Sequence, residues 1–85
     1  MEIVYTDEAI EDLLYWKNSG DIALQKRIKK LVENIKISPT SGIGKPELLK
    51  HNLKGHWSRR ITQEHRLVYR IEADKIIIIQ ARYHY

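Results

Sequence analysis

The sequence predicts an α+β fold, a two-helix hairpin packed on a twisted antiparallel β-sheet. Three observations carry this. Helical periodicity dominates the first part of the chain, period-two alternation takes over after Gly55, and only Asn18-Ser19-Gly20 separates the two helical stretches. Ile3-Val4-Tyr5 is a short β-prone opening able to extend the sheet. Thr6 offers an N-cap, with Asp7 and Glu8 in the first turn, where the helix dipole favours carboxylates. Ile10, Leu13 and Leu14, with the stem of Lys17, are the expected inner stripe of the first helix. Asp21 caps the second helix. Its Ile28, Leu31, Val32 and Ile35 follow the i, i+3, i+4, i+7 pattern, and Lys26, Arg27, Lys29, Lys30 and Lys36 form the outer face. The short connection makes the pair antiparallel. Ser38 to Pro46 is a long loop shaped by two Gly and two Pro. Trp57 to Thr62 reads as a strand, and His65 to Glu72 as a second with Leu67, Tyr69 and Ile71 on one face. Ala73-Asp74 turns the chain into a third, Lys75 to Tyr83. Its Ile76–Ile79 run is apolar on both faces and so central.

Size and composition bound the function. Eighty-five residues, 42% hydrophobic and 31% charged, make one small globular domain, 1–85. Surface scaling gives a thin core, about 64% of the chain's surface buried. Cysteine is absent, which excludes a disulfide scaffold, a thiol nucleophile, an iron–sulfur cluster and a cysteine-based zinc site. The longest apolar run, Ile76–Ile79, is too short to span a membrane, and MEIVYTDEAI lacks the basic start of a signal peptide. A cytoplasmic protein is expected. Net charge is +4, and its placement is uneven. Residues 45–70 hold seven Lys/Arg against two Asp/Glu, together with His51, His56 and His65. Such a segment suits a phosphate-rich partner, although a solvated basic face has the same composition.

The chemistry-bearing residues are Glu47, Lys50, Arg59, Arg60, Arg66, His84 and Tyr85. Cutting RNA without a metal needs a base for the 2′-OH, a cation for the phosphoryl oxygens and an acid for the departing 5′-oxygen. A carboxylate, a guanidinium and an imidazole fill those roles. Each residue also has a plainer reading. Glu47, after Pro46, has the position of a helix N-terminal carboxylate. Arg66 has the position of a surface arginine paired with Glu64, and His84 and Tyr85 that of a frayed end. No histidine pair has the spacing of a familiar zinc site, so no metal or other cofactor is expected. Gly42-Ile43-Gly44-Lys45 lacks phosphate-loop spacing, and no nucleophile-elbow motif is present.

The stretch KPELLKHNLKGHWSRRITQEHRLVYRI and the ending ARYHY closely resemble the YoeB toxins, within the RelE-like family of bacterial toxin–antitoxin systems. The resemblance spans essentially the whole chain, which would then be a single toxin domain. It implies the RelE-like toxin fold and an mRNA interferase that enters the ribosomal A site and cuts the bound message. It implies a YefM-like antitoxin as partner, operator DNA bound only through the antitoxin complex, and a possible homodimer. By motif, Glu47 matches the general base, Arg66 the arginine that stabilises the phosphoryl transition state, His84 the general acid and Tyr85 the terminal substrate-contacting tyrosine. Lys50 matches a basic residue near the scissile phosphate. His51, Arg59 and Arg60 match RNA-touching positions, and Lys45 and His65 of the same basic segment are counted with them. The family commonly has a second proline after the motif glutamate, where this chain has Leu48, which loosens the backbone between Glu47 and Lys50. Two rival functions are a translation inhibitor that binds ribosome or RNA without cutting, and a gyrase-directed relative of the same fold. The Glu47, Arg66 and His84 set argues against the gyrase reading.

Overall fold

The structure is a computed structural model and describes residues 1–84. Strand β1 (Glu2–Tyr5) leads into helices α1 (Asp7–Ser19) and α2 (Ile22–Ile37). Strand β2 (Glu47–Leu48), a 3-10 turn at His51–Leu53, and strands β3 (His56–Arg60), β4 (Arg66–Glu72) and β5 (Lys75–Gln80) follow.

Both helices start where their caps predict. Thr6 Oγ1 accepts the Ala9 N–H at 3.2 Å, and Asp21 Oδ1 accepts the Leu24 N–H at 3.0 Å. Gly20 closes α1 at φ +77°, a left-handed cap that glycine adopts without a Cβ penalty. On α2 the expected stripe is buried and Leu24 joins it, each large side chain contributing about 1.5–3 kcal/mol. The stripe of α1 differs from expectation. Ile10 and Leu14 are exposed, and the inner face runs through Ala9, Leu13 and Trp16. The reason is Trp16, whose indole N–H donates to the Ala81 carbonyl at 2.7 Å and fixes the helix's rotation against the sheet.

The sheet order is β1-β5-β4-β3-β2. Its last four strands pair antiparallel, but β1 lies parallel to β5, so the sheet is mixed rather than wholly antiparallel. A parallel neighbour needs a long crossover, and everything from α1 to β4 lies between the two. Central β5 is buried as its apolar run predicts. Ile76 and Ile78 lie in the helix-side core, and Ile77 is buried outside it.

The strands are shorter than the alternation suggests. The first ends at Arg60, the second begins at Arg66, and the third stops at Gln80. A register shift between Val68 and Tyr69 pairs Tyr69 with Ile78 but Val68 with Gln80, leaving Ile79 as the extra residue of a bulge. Beyond it α1 captures the backbone. Asp12 Oδ2 accepts the Ala81 N–H at 2.9 Å, and Trp16 donates to the Ala81 carbonyl.

Leu67, Tyr69, Ile76 and Ile78 join the helices in one core, with Trp57 and Ile71 packed on it. Val68, Leu49 and Ile77 are buried but stand outside that cluster, on the helix-free face. By strand alternation, the residues of β3 and β4 that share this face are His56, Ser58, Arg60, Arg66, Val68, Arg70 and Glu72.

Candidate active site

Register alone builds a row across the helix-free face. Glu47 lies opposite Ser58, Ser58 opposite Val68, and Val68 opposite Gln80. Glu47 thus stands two strand spacings from Val68, about 9–10 Å. Two pairs further along, and so on the same face, Arg60 lies opposite Arg66. A cleft of about 620 Å³ opens on this face, lined by residues 47–53 and Gln80. Lys50 and His51 are exposed on its wall with Glu47.

The loop before Glu47 is held from beneath by Arg59, which is fully buried. Its Nη1 donates to Asn34 Oδ1 at 2.6 Å and to the Ile43 carbonyl at 2.8 Å. Its Nη2 donates to the carbonyls of Ser38 at 2.6 Å and Ser41 at 2.9 Å. Its Nε donates to the Tyr69 hydroxyl at 3.0 Å, and that hydroxyl donates to the Pro39 carbonyl at 2.7 Å. Burial raises the Tyr69 hydroxyl's pKa above its ordinary value, while the Arg59 bond and charge pull the other way. Gly44 closes the loop at φ +81°, where a Cβ would meet the Leu31 side chain, and its carbonyl accepts the Arg60 N–H at 2.7 Å. The expectation that Arg59 touches RNA is therefore corrected. Neighbours on a strand face opposite ways, so Arg60 is exposed while Arg59 points inward and directs its donors to the loop.

Arg66 is buried, with its Nη1 donating to the carbonyls of Thr62 at 2.9 Å, Gln63 at 3.0 Å and His65 at 3.3 Å. The β3–β4 turn thus anchors one corner of the guanidinium. Among the described residues no carboxylate pairs with it, Glu64 included; the ion pairs found are Lys36–Glu33 and Arg70–Glu72.

The segment after β5 folds back toward this turn. Gln80 Nε2 donates to the Arg82 carbonyl at 2.8 Å, and the Arg82 guanidinium lies 3.4 Å over the Tyr15 ring and 4.4 Å over the Tyr83 ring. Tyr83 is left-handed at φ +67°. Its N–H donates to His65 Nδ1 at 2.8 Å, and its carbonyl accepts the Arg66 N–H at 3.0 Å. His84 follows, exposed. Tyr85 lies outside the described residues.

Glu47, Lys50 and His51 therefore meet at one cleft, and Arg60 and Arg66 are cross-strand partners on the same face. Lys45 is exposed at φ +52° between Gly44 and Pro46, away from the cleft lining. His65 sits half-buried in the turn rather than on the strand expected for it. Sequence reasoning missed Ser58 and Gln80. A buried serine inside the β3 alternation was a legible signal, whereas Gln80 reaches the cleft only because of the bulge. Among the described residues no group of three or more His, Asp or Glu side chains gathers to hold a metal ion.

The architecture, two helices packed on one face of a five-stranded mixed sheet, is α+β. The family model for the YoeB-like toxin of bacterial type II toxin–antitoxin systems matches residues 5–85. Toxin YoeB of Escherichia coli strain K12 is 47% identical over 85 residues, the full length of both chains. A YoeB/ParE toxin from Agrobacterium tumefaciens superposes with a TM-score of 0.94 at 41% identity, covering 100% of each chain. Staphylococcus aureus YoeB, solved in a heterotetrameric complex with YefM and as a dimer, gives 0.88 at 42% identity, over 100% of this chain and 98% of that one. The chain belongs to the YoeB-like toxins of bacterial type II toxin–antitoxin systems.

Proposed function

We propose that this toxin is a metal-independent endoribonuclease that cuts mRNA on the ribosome, in the A site. The observation that supports the reading most is the tie between the acid and the cation. The segment bearing His84 is bonded through the Tyr83 carbonyl to the backbone of Arg66, and Arg66 shares the helix-free face with Glu47. In the reaction Glu47 takes the 2′-OH proton. The 2′-oxygen attacks the adjacent phosphorus, and the bond to the 5′-oxygen breaks as His84 protonates it. Arg66 stabilises the charge on the phosphoryl oxygens with the guanidinium edge not occupied by the turn carbonyls, and Lys50 adds a point charge at the cleft wall. Each acid or base supplies roughly 10²- to 10⁴-fold. Tyr85 is assigned to substrate contact by its place in the RYHY motif. Exposed Lys45, His51 and Arg60 would hold the RNA backbone.

A YefM-like antitoxin is the proposed partner, because the Staphylococcus aureus relative is solved with YefM, and operator DNA would be reached only through that complex. The dimer of the same relative supports self-association here. No helix among the described residues is long and apolar enough to cross a membrane, and a ribosome-directed toxin would act in the cytoplasm.

The test is cleavage of a defined message by purified toxin, with and without ribosomes, comparing wild type with Glu47→Ala. Cuts that require the ribosome and vanish in the variant are expected. Arrest of translation with an intact message would establish the non-cleaving inhibitor instead.

A further inference from the structure

A non-glycine residue in the left-handed region is sterically strained and persists only where its surroundings hold it. Tyr83 is held at both of its backbone polar groups. Its carbonyl accepts from Arg66, and its N–H donates to a side-chain atom, His65 Nδ1, at 2.8 Å. The His65 ring is fixed in turn. It stands edge-on to Trp16, centroids 4.7 Å apart at 80°, and Trp16 is anchored by its own bond to the Ala81 carbonyl. For Nδ1 to accept, the proton of the neutral imidazole must sit on Nε2.

We propose that His65 is a positioning residue: its Nδ1 latches the Tyr83 backbone and thereby sets His84, the next residue, against Arg66. This replaces the RNA contact expected of His65, and it rests on the reading of His84 as general acid. The latch is sensitive to protonation. A second proton on His65 turns Nδ1 into a donor facing another donor, and the tail is released. The charged and titratable groups on the elements around the ring include Asp12, Tyr15 and Lys17 of α1, Arg82, Tyr83 and His84 of the tail, and Glu64 and Arg66 of its own turn.

Three variants test it. His65→Ala removes the acceptor. His65→Asn places an amide oxygen where Nδ1 stood, accepting but not titrating, and His65→Gln carries its amide one bond too far. Amide hydrogen exchange at Tyr83 in the free toxin is the first readout. Protection should fall roughly 5- to 10-fold in the Ala and Gln variants and persist in Asn. It should fall on acidification in wild type and not in Asn. Single-turnover cleavage on ribosomes is the second. His65→Ala should slow the cut without weakening ribosome binding, Asn should restore it, and His65→Ala with His84→Ala should be no slower than His84→Ala alone. Equal Tyr83 exchange in the Asn and Gln variants would overturn the latch, and that comparison stands if His65→Ala fails to fold. Weakened ribosome binding with an unchanged cleavage rate would make His65 an RNA contact instead. If wild-type toxin cuts nothing, the ribonuclease reading fails, while the exchange data still decide the latch.

Discussion

At the scale of single residues, the two adjacent arginines of β3 separate structure from function. Arg59→Ala strips five donors from a buried network and should cost more than about 3 kcal/mol, read as a lower Tm or denaturant midpoint. Arg60→Ala should leave the Tm nearly unchanged, weaken RNA binding, and reduce the slope of log affinity against log salt by about 1. If Arg59→Ala kept its Tm and lost only RNA affinity, the inward assignment would be wrong. Strand alternation made this contrast legible in the sequence, since neighbours in a strand cannot both face RNA. The motif match, which treats the pair as one basic unit, concealed it. The acceptor role of His65 was not legible at all, because its partner is a backbone N–H 18 residues away.

At the scale of elements, β2 answers the question raised by Leu48. The Leu49 N–H donates to the His56 carbonyl at 2.8 Å, so alternation turns the Leu48 N–H outward, away from β3. A proline there loses no ladder bond on this edge strand, and Leu48→Pro should fold normally and gain up to about 1 kcal/mol by restricting the unfolded chain. A drop in stability would show that the N–H has a partner after all. On α1, Ile10→Ala and Leu14→Ala should each cost less than about 1 kcal/mol, whereas Trp16→Ala should cost about 3–5 kcal/mol, because only Trp16 is buried. The opposite ranking in thermal melts would restore the stripe expected from periodicity. That stripe was misread because α1 carries apolar residues on more than one face, and the choice between faces is made by a tertiary hydrogen bond. The stripe of α2 and the alternation of β4 were legible because each has one apolar face and one charged one. The bulge in β5 left no trace in an all-isoleucine run. Tyr69 ties the loop to β4, and its raised pKa fixes a sign. A folded-state value above the ordinary 10 means its contribution is intact below that pH and is lost as pH rises through the folded value. Stability should therefore fall on the alkaline side, with a smaller loss in Tyr69→Phe. An identical alkaline limb in the two proteins would remove Tyr69 from the account.

At the scale of the whole molecule, the sheet divides the labour between its faces. One face buries the helices and supplies the core. The other carries Glu47, Arg60 and Arg66 beside an open cleft, with the tail stitched to the turn that anchors Arg66. The proposed base comes from an edge strand, the proposed cation from an inner strand and the proposed acid from the tail, so the proposed chemistry depends on the fold being complete. The measurement that tests this account most directly uses a message carrying a single 2′-deoxynucleotide immediately 5′ to the cut, loaded on ribosomes with wild-type toxin. The account predicts that this message survives, while its all-ribose counterpart is cut and leaves a 5′-hydroxyl on the downstream fragment. Cleavage of the deoxy-substituted message at the same bond would contradict attack by the 2′-oxygen, and with it the roles assigned to Glu47 and His84.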